Sequence, residues 1–177
     1  MNKAVFLDRD GTINIDEEGY THKIKDLEFF EDVFESLRLL KNFKLFIITN
    51  QSGIGRGYYA HKDFKKFNDQ LVKELSEQGI IIEKSYCCPH TPEDNCDCRK
   101  PNIKFIKEAQ KDFDIDLDKS WVIGDHPHDV VLGKNAGTRA IYLTTGHGIK
   151  HQPELRIQPD LIANNLKQAV EFIIENE

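Results

Sequence analysis

Short apolar runs alternate with longer amphipathic segments along the 177-residue chain, and this alternation constrains the fold more than any other feature. The predicted strands are Lys3–Leu7, Lys44–Ile48, Ile80–Cys87, Trp121–Ile123 and Arg139–Leu143. The predicted helices are Val33–Lys41, His61–Gln78, Ile103–Phe113, Asp129–Asn135 and Leu166–Glu175. Strand–helix alternation predicts one α/β domain over residues 1–177, in which a parallel sheet lies between two layers of helices.

The composition excludes several classes of protein. Hydrophobic residues make up 39% and charged residues 31% of the chain, which is typical of a globular protein rather than a disordered one. No apolar run reaches the length of a membrane span, and no signal peptide is visible, so we expect a cytoplasmic protein without a membrane partner. The net charge of −6 and the lack of a Lys/Arg-rich block argue against a nucleic-acid partner.

Polar residues follow every predicted strand directly. They are Asp8 and Asp10 after the first strand, Thr49 to Ser52 after the second, Cys88 and His90 after the third, Asp125 after the fourth and Thr144 to Gly146 after the fifth. Open α/β sheets bind ligands in the crevice at the carboxyl ends of their strands. Because all these polar groups fall at one edge of the predicted sheet, they indicate a site at that edge.

The first group has the pattern D-x-D-G-T, from Asp8 to Thr12. A carboxylate can accept a phosphoryl group covalently, and a second carboxylate nearby can act as general acid and then as general base. An Asp-Gly-Thr sequence is also ordinary turn chemistry, so this motif alone leaves catalysis and a turn equally open.

Cations and hydroxyls elsewhere fit the same chemistry, each with a structural alternative. Thr49 and Asn50 suit phosphate oxygens, and capping is their alternative. Lys100 can neutralise a transferring phosphoryl group. Taken alone, however, Arg99 and Lys100 are more typical of two cationic side chains exposed to solvent. Pro101 is expected in the first turn of the helix that follows.

Acidic residues after the fourth strand supply a possible metal site. Asp125 can join Asp8 in binding a hard cation such as Mg²⁺, which prefers few carboxylates, several waters and phosphate oxygens. Asp129 lies one helical turn later. It can orient Lys100 or a metal-bound water, or it can serve only as an acidic residue at a helix N-terminus.

Taken in order, D-x-D-x-T, Thr49-Asn50, Lys100-Pro101 and the G-D-x-x-x-D of Gly124 to Asp129 resemble the phosphatases of the haloacid dehalogenase (HAD) superfamily. This resemblance implies a Rossmann-like core, Mg²⁺ and an aspartyl-phosphate intermediate. By resemblance, Asp8 is the nucleophile and a metal ligand. Asp10 is the general acid/base and lends its carbonyl to Mg²⁺, Thr49 and Lys100 hold phosphate, and Asp125 binds Mg²⁺. The spacing between motifs leaves no room for a sizeable cap domain.

All four cysteines lie within twelve residues, and His90 lies among them. Cys88, His90, Cys96 and Cys98 offer three sulfurs and one nitrogen, a set that suits a closed tetrahedral Zn²⁺ site. Disulfides are the alternative, which a cytoplasmic location disfavours. Cys87 neighbours Cys88 on a strand and is expected to point to the opposite face as a buried apolar side chain. A zinc loop ending at Arg99 and Lys100 would stiffen two cations that face the substrate.

Within the superfamily, the chain resembles the capless, zinc-containing branch. That branch contains heptose-bisphosphate phosphatases, which act in the biosynthesis of nucleotide-activated heptose for surface polysaccharide, and histidinol-phosphate phosphatases. The alternatives to a heptose enzyme are a histidinol-phosphate phosphatase and another small phosphomonoester phosphatase or phosphotransferase of the superfamily. Ser52 after Gln51 favours the heptose enzymes, whereas the short loop between His90 and Cys96 is closer to the histidinol enzymes. We therefore expect a monomeric phosphatase whose partner is a small-molecule sugar bisphosphate. The residues expected to bind substrate or phosphate are Arg9, Asp16, Gly19, Tyr20, Thr49, Asn50, Gln51, Ser52, Arg99, Lys100 and His126.

Overall fold

The computed structural model describes residues 1–177 and contains six strands and seven helices, together with a few short 3₁₀ turns. The strands are β1 (Ala4–Leu7), β2 (Lys44–Asn50), β3 (Ile82–Cys88), β4 (Trp121–Gly124), β5 (Arg139–Leu143) and β6 (Leu161–Ala163). The helices are α1 (Val33–Leu39), α2 (Ser52–Gly55), α3 (His61–Glu77), α4 (Lys104–Phe113), α5 (Pro127–Ala136), α6 (Gly148–His151) and α7 (Leu166–Glu175).

All six strands form one parallel sheet in the order β3-β2-β1-β4-β5-β6. Chain order reverses direction at β1, so the crevice between β1 and β4 is the switch point at which such sheets bind ligands. Leu7, the last residue of β1, pairs with Ile47 on one side and Ile123 on the other. The polar residues that follow these strands therefore emerge at the same edge.

Side chains of β1 alternate between two apolar layers, as the period of a strand requires. Val5 and Leu7 belong to a core of 22 buried residues shared with α1, α3 and α7. Ala4 and Phe6 belong to a core of 12 buried residues shared with α4 and α5. The predicted three-layer α/β/α architecture is thus confirmed.

The prediction missed the smallest elements. β6 has only three residues, and α2 and α6 have four each, which is too short for apolar periodicity to be recognised. α5 begins at Pro127, two residues before the predicted start, because proline suits the first position of a helix. No helix is both long enough and apolar enough to cross a membrane.

Candidate active site

Asp8 directly follows β1, and one of its two carboxylate oxygens has hydrogen-bond partners while the other has none. Oδ1 accepts hydrogen bonds from the Arg9 backbone N–H (2.7 Å) and from Lys100 Nζ (2.8 Å), whereas Oδ2 accepts none. Burial raises the pKa of Asp8 to about 7, with Lys100 opposing the shift and Asp129 adding to it. An oriented carboxylate with one oxygen unengaged is the arrangement that a nucleophile needs.

Asp125 faces Asp8 from the end of β4, and the chain is built closely around it. Its Oδ2 accepts a hydrogen bond from the His147 backbone N–H at 2.9 Å. A Cβ atom at Gly11, which has φ of +81°, would lie 2.2 Å from that same oxygen, so only glycine fits there. Burial, followed by the charges of Asp8 and Asp129, raises the pKa of Asp125 to about 8.

Lys100 bridges two of these carboxylates from a buried position. Its Nζ lies 2.8 Å from Asp8 Oδ1 and 2.7 Å from Asp129 Oδ1. Burial opposes the charge on Lys100, but Asp129 and Asp8 outweigh it and raise the pKa of the ammonium group. Asp129 thus contacts Lys100, as one of the alternatives predicted for it requires. Asp129 also accepts a hydrogen bond from the His126 backbone N–H at 3.2 Å, at the start of α5.

The backbone of Lys100 is fixed by Asn50 at the end of β2. Asn50 Oδ1 accepts from the Lys100 N–H at 3.0 Å, and its Nδ2 donates to the Lys100 carbonyl at 3.4 Å. Asn50 thus connects β2 to the lysine. The Lys100–Pro101 peptide bond is cis, and α4 begins only at Lys104. The expectation that Pro101 lies in the first turn of a helix is therefore wrong.

Arg9 does not contact the pocket, which corrects its prediction as a phosphate-binding residue. Its side chain is fully buried, with the guanidinium stacked on Phe67 (4.7 Å to the ring centroid) and near Phe64 (5.3 Å). Nε and one terminal nitrogen each donate to Asp10 at 2.9 Å, and that terminal nitrogen also donates to the Thr21 carbonyl at 3.1 Å. The arginine points inward because a carboxylate and two aromatic rings receive it there.

The Cys₃His loop brings its four side chains together, as predicted. The three sulfurs of Cys88, Cys96 and Cys98 lie 3.2–3.6 Å apart, and His90 Nδ1 lies 3.3 Å from Cys98 and 3.6 Å from Cys88. Although burial opposes it, hydrogen bonds from backbone N–H groups lower the pKa of Cys96 to about 7.

Cys87 lies outside this cluster, also as predicted. It is half-buried rather than fully buried, which corrects that part of the prediction. Burial raises the pKa of its thiol to about 12, so the thiol is a poor nucleophile.

An open pocket of about 330 Å³ joins these groups at the carboxyl edge of the sheet. Except for Arg9, every residue predicted to act in catalysis, substrate binding or Mg²⁺ binding lines it. These residues are Asp8, Asp10, Asp16, Gly19, Tyr20, Thr49, Asn50, Gln51, Ser52, Arg99, Lys100, Asp125 and His126. The sequence prediction missed four further lining residues, Tyr59, His128, His147 and His151. A count of histidines near the strand ends would have suggested the last three.

Histidines form one side of the pocket. The His126 ring lies 4.5 Å from that of His128 and 4.7 Å from that of His151, between centroids. Burial, followed by the neighbouring histidines, lowers the pKa of His126 to about 4. His126 is therefore uncharged at neutral pH, and Lys100 and Arg99 are the lysine and arginine that line the pocket.

The switch-point crevice, the paired aspartates and the buried lysine define a hydrolase of the HAD class. The family model described as HAD-hydrolase-like matches residues 97–169. The chain is 42% identical to the D-glycero-alpha-D-manno-heptose-1,7-bisphosphate 7-phosphatase of Campylobacter jejuni, over 99% of this chain and 98% of the relative. It is 43% identical to the D-glycero-beta-D-manno-heptose-1,7-bisphosphate 7-phosphatase of Helicobacter pylori strain J99, over 97% of each chain. The chain belongs to the family of D-glycero-D-manno-heptose-1,7-bisphosphate 7-phosphatases.

A solved structure agrees with this membership. The crystal structure of the D,D-heptose 1,7-bisphosphate phosphatase from B. bronchiseptica, complexed with magnesium and phosphate, superposes with a TM-score of 0.90. It is 25% identical in sequence, and the match covers 99% of each chain.

Proposed function

We propose that this protein removes the C7 phosphate of D-glycero-D-manno-heptose 1,7-bisphosphate through an aspartyl-phosphate intermediate. The observation that carries the proposal is the Asp8 carboxylate, which has one oxygen fixed by Lys100 and Arg9 and the other unengaged in the pocket. The named activity of relatives that match this chain over nearly its whole length supports the choice of substrate.

The first half of the reaction uses Asp8 and Asp10 together. Asp8 Oδ2 attacks phosphorus, the bond between phosphorus and the C7 oxygen breaks, and the electron pair remains on that oxygen. Asp10 gives the departing oxygen a proton, so the sugar leaves as an alcohol. Lys100 lies beside the attacking carboxylate, where its charge can stabilise the transferring phosphoryl group.

In the second half, Asp10 takes a proton from water as that water attacks phosphorus. The bond between phosphorus and Asp8 breaks, orthophosphate leaves, and both aspartates return to their starting state. The four donors to Asp10 keep its side chain in one position during both halves; they come from Arg9, Asn14 and Gln51.

The residues present fit a magnesium ion held by Asp8, Asp125 and the Asp10 carbonyl. Carboxylate oxygens of Asp8, Asp125 and Asp129 lie within 4.8 Å of one another, and the Asp10 carbonyl accepts no hydrogen bond. Burial and the charges of neighbouring carboxylates raise the pKa values of Asp8 and Asp125, and a nearby divalent cation would relieve that repulsion. When bound, Mg²⁺ supplies positive charge to the transferring phosphoryl oxygens.

The Cys₃His cluster fits a structural zinc ion. Zn–S bonds of about 2.3 Å in a tetrahedron place sulfurs roughly 3.8 Å apart, close to the separations of the three thiols. The loop holds Arg99 at one end, whose guanidinium donates to the His90 carbonyl at 3.2 Å. Zinc would therefore fix the position of Arg99 at the pocket.

Arg99 is the residue we assign to the distal, anomeric phosphate of the substrate. Lys100 is occupied by Asp8 and Asp129, so Arg99 is the pocket cation that remains available for a second anion. Its planar fork suits phosphate better than an ammonium group does.

Steady-state kinetics with Mg²⁺ test the substrate assignment. We expect a higher kcat/KM for heptose 1,7-bisphosphate than for histidinol phosphate, and the reverse order would replace the heptose by histidinol phosphate. Arg99→Ala should raise KM for heptose 1,7-bisphosphate by about 10–100-fold, as expected for one charge-assisted hydrogen bond. It should barely change KM for heptose 7-phosphate. Arg156→Ala, an exposed arginine outside the pocket, is the matched control.

The nucleophile is tested separately. Asp8→Asn should fold and lose nearly all turnover, because an amide is a poor nucleophile and a poor metal ligand. Wild-type protein should form a fluoroberyllate adduct at Asp8. Substantial residual turnover of Asp8→Asn would contradict the assignment.

A further inference from the structure

A buried chain of hydrogen bonds runs from Tyr59 through Gln51 to Asp10. The Tyr59 hydroxyl donates to Gln51 Oε1 at 2.6 Å. Gln51 Nε2 donates in turn to Asp10 Oδ2 and to Thr49 Oγ1, both at 2.8 Å. Tyr59 is 7% exposed and Gln51 is 2% exposed, so water has little access to the bond between their side chains.

The orientation of the Gln51 amide decides whether this series of hydrogen bonds stabilises the Asp10 carboxylate. A carboxamide has two donors on nitrogen and only acceptor sites on oxygen. Both donors of Gln51 are used, by Asp10 and Thr49. If the amide rotated by half a turn, its oxygen would face the Asp10 carboxylate and repel it. The Tyr59 hydroxyl opposes that rotation, because Gln51 Oε1 accepts its proton and the rotation would put the amide nitrogen, which has no acceptor site, in that place.

We propose that Tyr59 is a positioning residue for the general acid/base Asp10 and acts through Gln51. This inference rests on the proposed role of Asp10. Tyr59 does not touch the reacting atoms in this scheme. Tyr59 fixes the Gln51 amide, and that amide fixes the Asp10 carboxylate. In this proposal Gln51, which was predicted to bind substrate, instead supports Asp10.

The surroundings of Tyr59 are built to hold its ring. The ring stacks on His22, with centroids 4.4 Å apart and planes 10° apart. A Cβ atom at Gly53 would lie 2.2 Å from the tyrosine ring, so that position must lack a side chain. Burial, and then the charge of Asp10, raises the pKa of Tyr59, so the hydroxyl keeps the proton that it donates.

Tyr59→Phe and Tyr58→Phe make a matched pair, because they remove the same hydroxyl from neighbouring tyrosines. Tyr58 is 61% exposed and is absent from the lining of the pocket. Each variant is assayed on heptose 1,7-bisphosphate, whose leaving oxygen needs a proton, and on p-nitrophenyl phosphate, whose leaving group needs none.

We expect Tyr59→Phe to lower kcat/KM on the sugar phosphate about tenfold, a part of the roughly 10²–10⁴-fold that a placed acid or base contributes. This ratio covers only the steps up to transfer of the phosphoryl group to Asp8, so it excludes the hydrolysis of the intermediate, which both substrates share. The ratio on p-nitrophenyl phosphate should change little, and Tyr58→Phe should match the wild type on both substrates. Equal losses of Tyr59→Phe on both substrates would overturn the proposal, since a general loss of structure acts on both.

A double-mutant cycle with Gln51→Met tests the route of the effect. If Tyr59 acts through Gln51, the double variant should lose no more on the sugar phosphate than Gln51→Met alone. Additive losses would contradict that route. Asp10→Asn is the reference. If Asp10→Asn loses kcat/KM equally on both substrates, the acid role of Asp10 fails. If Asp10→Asn loses it selectively on the sugar phosphate and Tyr59→Phe loses none, only the positioning role of Tyr59 is refuted.

Discussion

Replacing Arg9 by methionine should destabilise the protein strongly, although Arg9 does not reach the pocket. Methionine keeps much of the length and the apolar stem that packs on Phe67, and it removes the guanidinium. The variant loses two bonds to Asp10 and one to the Thr21 carbonyl. It also leaves the Asp10 carboxylate without the cation that faces it.

The magnitude follows from burial. Arg9 is fully buried and Asp10 is 17% exposed, so the pair is close to a buried ion pair. Removing one partner of such a pair costs about 3–5 kcal/mol, because the other charge remains uncompensated. For a domain of this size, each kcal/mol lowers Tm by about 2–4 °C, so Tm should fall by about 6–20 °C.

Thermal unfolding followed by calorimetry measures the effect. Arg156→Met is the matched control, since Arg156 is exposed and its loss should leave Tm nearly unchanged. Arg9→Met should also reduce turnover of the sugar phosphate by loosening Asp10. A Tm within about 2 °C of the wild type would refute the reasoning, because it would mean that water compensates Asp10 as well as the arginine does.

Three further predictions follow from the same geometry. Asp10→Asn should lose roughly 10²–10⁴-fold in kcat/KM on the sugar phosphate and much less on p-nitrophenyl phosphate, measured by released phosphate and nitrophenol. Equal losses in kcat/KM would contradict the role of Asp10 as the acid. Metal analysis should find one zinc per chain after EDTA has removed Mg²⁺. Cys96→Ser should lower Tm, because zinc binding is coupled to folding. Protein that lacks zinc although it was prepared without a chelator would refute the zinc site. Burial, then the charges of Arg99 and Lys100, lowers the pKa of His128 in the folded state. The unfolded chain therefore takes up this proton at higher pH, so stability falls as pH drops below about 6.5. As pH drops, the free energy of unfolding of His128→Asn should fall less steeply than that of the wild type. His61→Asn, at an exposed histidine, is the control. If the pH dependence of His128→Asn ran parallel to that of the wild type, the prediction would be contradicted.

The sequence by itself determined the architecture and the order of the catalytic groups. Apolar runs of strand length alternate with amphipathic helices, and a parallel sheet is the arrangement that buries both. Because parallel strands share one carboxyl edge, Asp8, Asn50 and Asp125 could be assigned to one crevice without knowing any distance. Lys100, which does not follow a predicted strand, was assigned to that crevice by the resemblance to HAD phosphatases. The close spacing of Cys88, His90, Cys96 and Cys98 likewise predicted their cluster, since a short loop cannot separate them far.

Only the tertiary structure decided which way individual side chains point. Arg9 lies between two aspartates in the sequence and suggests a phosphate contact, yet Phe64 and Phe67 of a distant helix and the carboxylate of Asp10 receive it in the interior. Tyr59 reaches Asp10 only through Gln51, a contact that depends on the packing of α2 and the loop that follows it.

The histidine side of the pocket is also a product of tertiary structure. His151 comes from α6, a four-residue helix with no periodic signal, and meets His126 at the start of α5. Local sequence patterns specify helices and strands, because residues close together in the chain follow the period of a single helix or strand. They do not specify the partners of a polar side chain, because those partners are brought from distant parts of the chain only when the core has packed.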